Sequence, residues 1–169
     1  MGLLQFRIEG RADVEKLTSA PIIGDIPLAE EGNGKAGGIA VRENENSLMA
    51  ETFRGIRTNL QFMLGEENKV ILVTSTISGE GNTFVATNLA ISLSLLGKRV
   101  VIVGLDIRKP GLNKVFNLSQ KEKGITQFLA GPQTTDLMSM VQPSGISRTL
   151  SIPVSYTHLR AHETRHDIV

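Results

Sequence analysis

Apolar residues recur at helical spacing between Ser47 and Gly65, where Met49, Phe53, Ile56, Leu60 and Met63 share one face. Ser47 suits the N-cap of that helix and Gly65 its C-terminal stop. Glu51, Arg54 and Arg57 form a charged stripe mostly opposite the apolar face. The pattern then changes. KVILVTS, Lys69 to Ser75, and RVVIVGLD, Arg99 to Asp106, are short continuous apolar runs rich in β-branched residues. Such runs suit strands covered on both faces, as in a parallel sheet. Between them Thr83 to Leu96 is apolar nearly all round, with Gly97 just past its end. Strand, glycine-rich turn, helix and strand predict a right-handed βαβ unit.

The flanks are less regular. ADVEKLTS, residues 12–19, predicts a short helix ended by Pro21, and PIIGDIPLA follows as an extended segment. EEGNGKAGG, Glu30 to Gly38, reads as a flexible connector. Downstream, GITQFLAG and TTDLMSMV predict short helices, and TLSI, Thr149 to Ile152, a third strand.

Composition narrows the class. The 169 residues suffice for one domain with a buried core, and 40% hydrophobic with 21% charged residues is the balance of a globular chain. A net charge of +1 supplies no field to attract nucleic acid or anionic lipid. The absence of cysteine excludes disulfides and thiolate metal sites. No apolar run is long enough to span a bilayer, and the polar start MGLLQFRIEGR does not suit a secretory leader.

The chemistry concentrates in TISGEGNTFVATN, Thr76 to Asn88. Glycines let backbone N–H groups converge on an anion, and a helix N-terminus directly after them adds partial positive charge. Gly79 and Gly81 supply the turn, and Thr83 supplies a hydroxyl suited to Mg²⁺. Two positions depart from G-x-x-x-x-G-K-[ST]: Thr76 replaces the first glycine and Asn82 replaces the lysine. Asp106 ends the second predicted strand, on the side where ligands of open α/β sheets bind, which makes it a candidate for the Mg²⁺ shell.

In order, these stretches resemble the cytoplasmic kinase domain of the bacterial tyrosine kinases, the BY-kinases, from about Leu3 to Ile152. The resemblance implies a P-loop NTPase-type α/β fold, a three-layer sandwich with a mostly parallel sheet that is incomplete here. It makes residues 1–45 a juxtamembrane lead-in and linker, and 46–153 the N-terminal part of the kinase domain. ETFRGIRTN is similar to the family's E-x-x-R-x-x-R motif, so Glu51, Arg54 and Arg57 are implied to join neighbouring copies in a ring. VILVTSTISGEGNTFVATNLA is similar to its Walker A segment, which implies ATP contacts by Ser78, Gly79, Glu80, Gly81, Asn82, Thr83 and Phe84. VVIVGLDIRKP is similar to Walker A′, with Asp106 on its second aspartate and Gly104 on the first; Asp106 and the residue at 82 are the implied catalytic positions.

The implied activity is ATP- and Mg²⁺-dependent tyrosine autophosphorylation on the inner face of a bacterial membrane. The implied partners are the machinery of capsule and exopolysaccharide export and a cognate phosphatase, with no nucleic acid. The family's Walker B aspartate and tyrosine cluster have no counterpart in the sequence, which marks it as a fragment. Lysine and asparagine codons differ only at the third base, so Asn82 is either a misread lysine or a true substitution that weakens ATP binding. Two alternatives stand beside the kinase: a non-catalytic assembly module, and a partitioning-type ATPase of the same P-loop branch. The latter carries an extra lysine early in the loop, near the place that Ile77 occupies.

The last sixteen residues, 154–169, read differently. They hold all three histidines, His158, His162 and His166, at spacing that would align them on a helix. Val154 to Thr164 nevertheless resembles a translated sequencing adapter, so this tail is treated as non-native and set apart from the fold.

Overall fold

The computed structural model describes residues 8, 10–28, 38–65, 67–77, 79–106, 111–118, 124–130 and 136–153. Helices α1 (Arg11–Leu17), α2 (Leu48–Leu64) and α3 (Asn82–Ser94) precede strand β1 (Val100–Val101). Short helices α4 (Gly111–Val115) and α5 (Ile125–Ala130) and a 3-10 turn at Leu137–Met140 follow, then strands β2 (Val141–Pro143) and β3 (Leu150–Pro153). The histidine-bearing tail and most of the glycine-rich connector lie outside the described residues.

Helix α2 begins and ends where its sequence dictates. The Ser47 side chain accepts the N–H of Ala50, and Gly65 leaves the helix with φ of 63°, a conformation that costs glycine nothing. Ala50, Phe53 and Ile56 bury against α3, which is itself the centre of the core. Seven of the thirteen α3 residues are buried, including the polar Thr87, Asn88, Ser92 and Ser94. The extended lead-in docks on α2. Asn59 donates to the Ile23 carbonyl, and Gly24 passes so close that a Cβ there would lie 2.4 Å from Ile56 Cγ1.

The sheet is smaller and more mixed than the sequence predicts. Its order is β1-β3-β2, with β1 parallel to β3 and β2 antiparallel to it. The α/β class holds, whereas the mostly parallel sheet is corrected to one parallel and one antiparallel pairing. Lys69–Ser75 forms no strand: among the described residues no ladder includes it, and Val70 is left 88% and Leu72 80% exposed. The predicted βαβ unit therefore lacks its first strand. Arg99–Asp106 contributes only Val100–Val101 to the ladder, extended by the Ile102 N–H donating to the Ser151 carbonyl. An apolar run signals a segment that gains from burial, but a strand exists only where a neighbour takes its backbone hydrogen bonds.

The short helix predicted in TTDLMSMV forms as a 3-10 helix at Leu137–Met140, and the last residue of that stretch, Val141, already opens β2. β2 and β3 form a hairpin whose connection is pinned by Ser144, which accepts N–H groups from Ile146 and Ser147. The third predicted strand forms as expected, with Leu150 and Ile152 fully buried. Among the described residues no helix is long and apolar enough to cross a membrane.

Candidate functional site

The loop before α3 is shaped by its glycines. Gly79 has φ of 98° and Gly81 φ of 90°, both in the left-handed region that side chains resist. Gly81 is also the N-cap of α3, so the turn feeds directly into the helix N-terminus. That is the geometry an anion site requires, with amide groups and the positive end of a helix on one side. Ser78 lies outside the described residues.

Two side chains of the loop fold back on it. The Glu80 carboxylate oxygen Oε2 accepts from the Thr76 N–H at 2.9 Å, the Thr76 hydroxyl at 3.0 Å and the Ile77 N–H at 3.1 Å. These bonds, led by the Ile77 amide, hold the Glu80 carboxyl below the usual carboxylate range. The Asn82 amide oxygen accepts from the Thr83 N–H at 2.7 Å and more loosely from its hydroxyl at 3.5 Å. Where the motif has a cation, this chain has an acceptor engaged with the adjacent donors.

Thr83 is half-buried beneath the start of α4. A Cβ on Gly111 would come 3.1 Å from Thr83 Oγ1, so glycine permits the close approach. This contact brings Gly111, five residues further along the chain than Asp106, to the loop. Asp106 itself is exposed, past the end of β1. A threonine hydroxyl and a carboxylate are hard oxygen donors, a set that suits Mg²⁺. Phe84 points elsewhere. Its ring meets Phe53 edge to face at 5.8 Å and packs on the core, leaving only its backbone to the loop.

Asn88, one turn into α3 from Phe84, was not singled out as a functional position by the sequence. It is fully buried and makes four bonds, accepting from Ala40 and Val41 N–H and donating to the Gly38 and Phe84 carbonyls. The segment at 38–41 is thereby tied to the helix that carries the loop. An amide among the apolar residues in the middle of α3 was the available signal, since buried polar groups find partners.

The charged stripe of α2 is partly internal. Glu51 pairs with Arg54, which also donates to the Glu45 carbonyl. Arg57 reaches across to α3 and donates to the Ser92 carbonyl at 2.8 Å and its hydroxyl at 3.2 Å. Burial, and then the neighbouring Arg54 charge, lower the Arg57 pKa. Arg42, Arg54, Arg57 and Ser92 help line a cavity of about 250 Å³ away from the loop.

Comparison with known proteins places this arrangement. The ParA family model, described as NUBPL iron-transfer P-loop NTPase, matches residues 66–151, just over half of the chain. The chain is 34% identical over 103 residues to the tyrosine-protein kinase CpsD of Streptococcus agalactiae, covering 61% of this chain and 44% of that protein. It is 37% identical over 84 residues to the tyrosine-protein kinase YwqD of Bacillus subtilis, covering 49% of this chain and 35% of that one. Among solved structures it is similar to the BceF tyrosine kinase domain, with a TM-score of 0.71 and 25% identity over 89% of this chain and 63% of that chain. The chain thus spans less than half the length of these curated relatives.

Proposed function

We propose, for a chain that belongs to the ParA family of P-loop NTPases and is homologous to the tyrosine-kinase domains of capsule and exopolysaccharide synthesis, that its parent protein is an ATP-dependent protein tyrosine kinase. The observation that carries this reading is the glycine turn at Gly79 and Gly81 opening directly into α3. Amides from Gly79 to Phe84 would receive the phosphates, and Thr83 with Asp106 would hold Mg²⁺. When bound, the metal neutralises charge that develops on the transferring phosphoryl group. The chain's own part is to position and to exclude misalignment, because phosphoryl transfer depends almost wholly on positioning and charge stabilisation. The complete domain would take the three-layer form with a mostly parallel sheet.

In the parent, Glu51, Arg54 and Arg57 would join copies into a ring on the inner face of a bacterial membrane. Its partners would be the polysaccharide polymerisation and export machinery and a cognate phosphatase. The test is phosphate transfer from Mg-ATP to a tyrosine-containing acceptor peptide, followed with an anti-phosphotyrosine antibody. Made in the completed parent domain, Asn82→Lys is expected to label the peptide and the Asn82 form to label it far less. Equal labelling would refute the assigned role of position 82, and no labelling by either would refute the kinase reading for this segment.

One observation favours a second reading, a non-catalytic assembly module. Asn82 not only lacks the charge of lysine but engages the N–H and hydroxyl of Thr83. A module of that kind would self-associate through α2 without nucleotide, which sedimentation velocity on the Arg54→Glu chain and its parent would detect.

A further inference from the structure

We infer that Glu80 is a positioning residue, a brace that closes the mouth of the loop by tying its fifth residue back to its first two, and that Thr76 is its partner rather than a lost glycine. The inference rests on the nucleotide reading of the loop given above. A single carboxylate oxygen gathers three donors from Thr76 and Ile77. The left-handed turns at Gly79 and Gly81 flank residue 80, whose side chain reaches back to the start of the loop. A glycine at 76 would provide one N–H and nothing more, whereas the threonine hydroxyl adds a third arm. The departure at Thr76 and the acid at 80 therefore make one unit.

Two opposite consequences can be drawn from a negative side chain in a phosphate loop. As a bare charge it would repel an incoming phosphate. As a brace it fixes the backbone so that the amides after it are already aimed, which lowers the ordering cost of binding. The bonding favours the brace. Glu80 takes the amides of Thr76 and Ile77 at the entrance, and its bonds leave those of Gly79 to Thr83 alone.

The experiment compares Glu80→Ala, Glu80→Gln and Thr76→Val in the Asn82→Lys chain by Mg-ATP titration and by amide hydrogen exchange without nucleotide. The brace predicts that Glu80→Ala speeds exchange at Thr76 and Ile77 and weakens nucleotide binding severalfold. Glu80→Gln, which keeps an acceptor, should recover part of both effects. Thr76→Val should show a smaller loss that is not additive with Glu80→Ala, because the hydroxyl bond it removes is one of the three that Glu80→Ala removes. Unchanged or tighter binding in Glu80→Ala would overturn the inference. Should the Asn82→Lys chain bind no nucleotide, the functional reading fails, and exchange at Thr76 and Ile77 alone decides the brace: acceleration supports it and no change overturns it.

Discussion

Replacing Asn82 by lysine perturbs the site in two ways, and the structure separates them. The first is the gain of a cation beside the phosphates. A charge-assisted hydrogen bond contributes roughly 1.5–3 kcal/mol, and the exposure of residue 82 favours the low end, about 1.5 kcal/mol. The second is the release of Thr83, whose N–H now donates to the Asn82 side chain at 2.7 Å. Lysine has no acceptor, so that donor becomes available to a ligand, at about 1 kcal/mol for a net hydrogen bond. Together these give about 2.5 kcal/mol, or roughly 70-fold in Kd. Isothermal titration of Mg-ATP into both chains measures it. Asn82→Ala isolates the second contribution, since it frees Thr83 without adding charge, and should tighten binding by about fivefold. Kd values within about twofold of each other for the parent and Asn82→Lys chains would refute the reasoning.

The remaining predictions concern the scaffold that aims the loop. Asn88→Ala strands the Ala40 and Val41 amides and should cost about 3 kcal/mol in urea unfolding, with amide protection lost at residues 38–41. Gly24→Ala drives a Cβ to 2.4 Å from the buried Ile56 and should cost about 1–3 kcal/mol, read as a lower unfolding midpoint. Val70→Lys with Leu72→Lys removes exposed apolar surface, so size-exclusion chromatography should show less self-association than in the parent chain. Glu80 has a depressed carboxyl pKa, so its bracing is present above the unfolded value and is lost as pH falls through the depressed one. The Thr76 and Ile77 amide resonances should therefore titrate with a midpoint below the ordinary glutamate value of 4.5, and Glu80→Gln should abolish that transition.

Local signals in the sequence carried as far as local structure does. Ser47 and Gly65 bound α2, and Gly81 starts α3, because caps and left-handed turns depend on a few adjacent atoms. Leu150 to Pro153 forms as a strand because its alternate residues reach a core already built by α2 and α3. Pairing was not legible in the same way. Val70 and Val100 lie in similar runs rich in β-branched residues, but of the two only Val100 has a ladder partner, Leu150. The β2–β3 hairpin turns just after Pro143, at Ser144 and Gly145, a turn-forming pair that by itself does not say which strands it joins.

At the site, the departures from the motif were visible as residue types, while their consequences needed geometry. Nothing in a glutamate two residues before Asn82 says that it will bond backward to Thr76. Nor does the motif say that Arg57 will spend its charge on Ser92 of the helix carrying the loop. Phe84 falls on the nucleotide stretch by alignment, and only packing reveals that its ring belongs to Phe53.

The central claim, that the amides around Gly79 to Phe84 enclose the phosphates of ATP, is tested most directly by hydrogen exchange of the Asn82→Lys chain with and without Mg-ATP. The account predicts slowed exchange concentrated at residues 79–84, with the α1 amides unchanged. Uniform exchange across the loop at saturating nucleotide, or protection centred on the arginine-lined cavity beside Ser92, would contradict it.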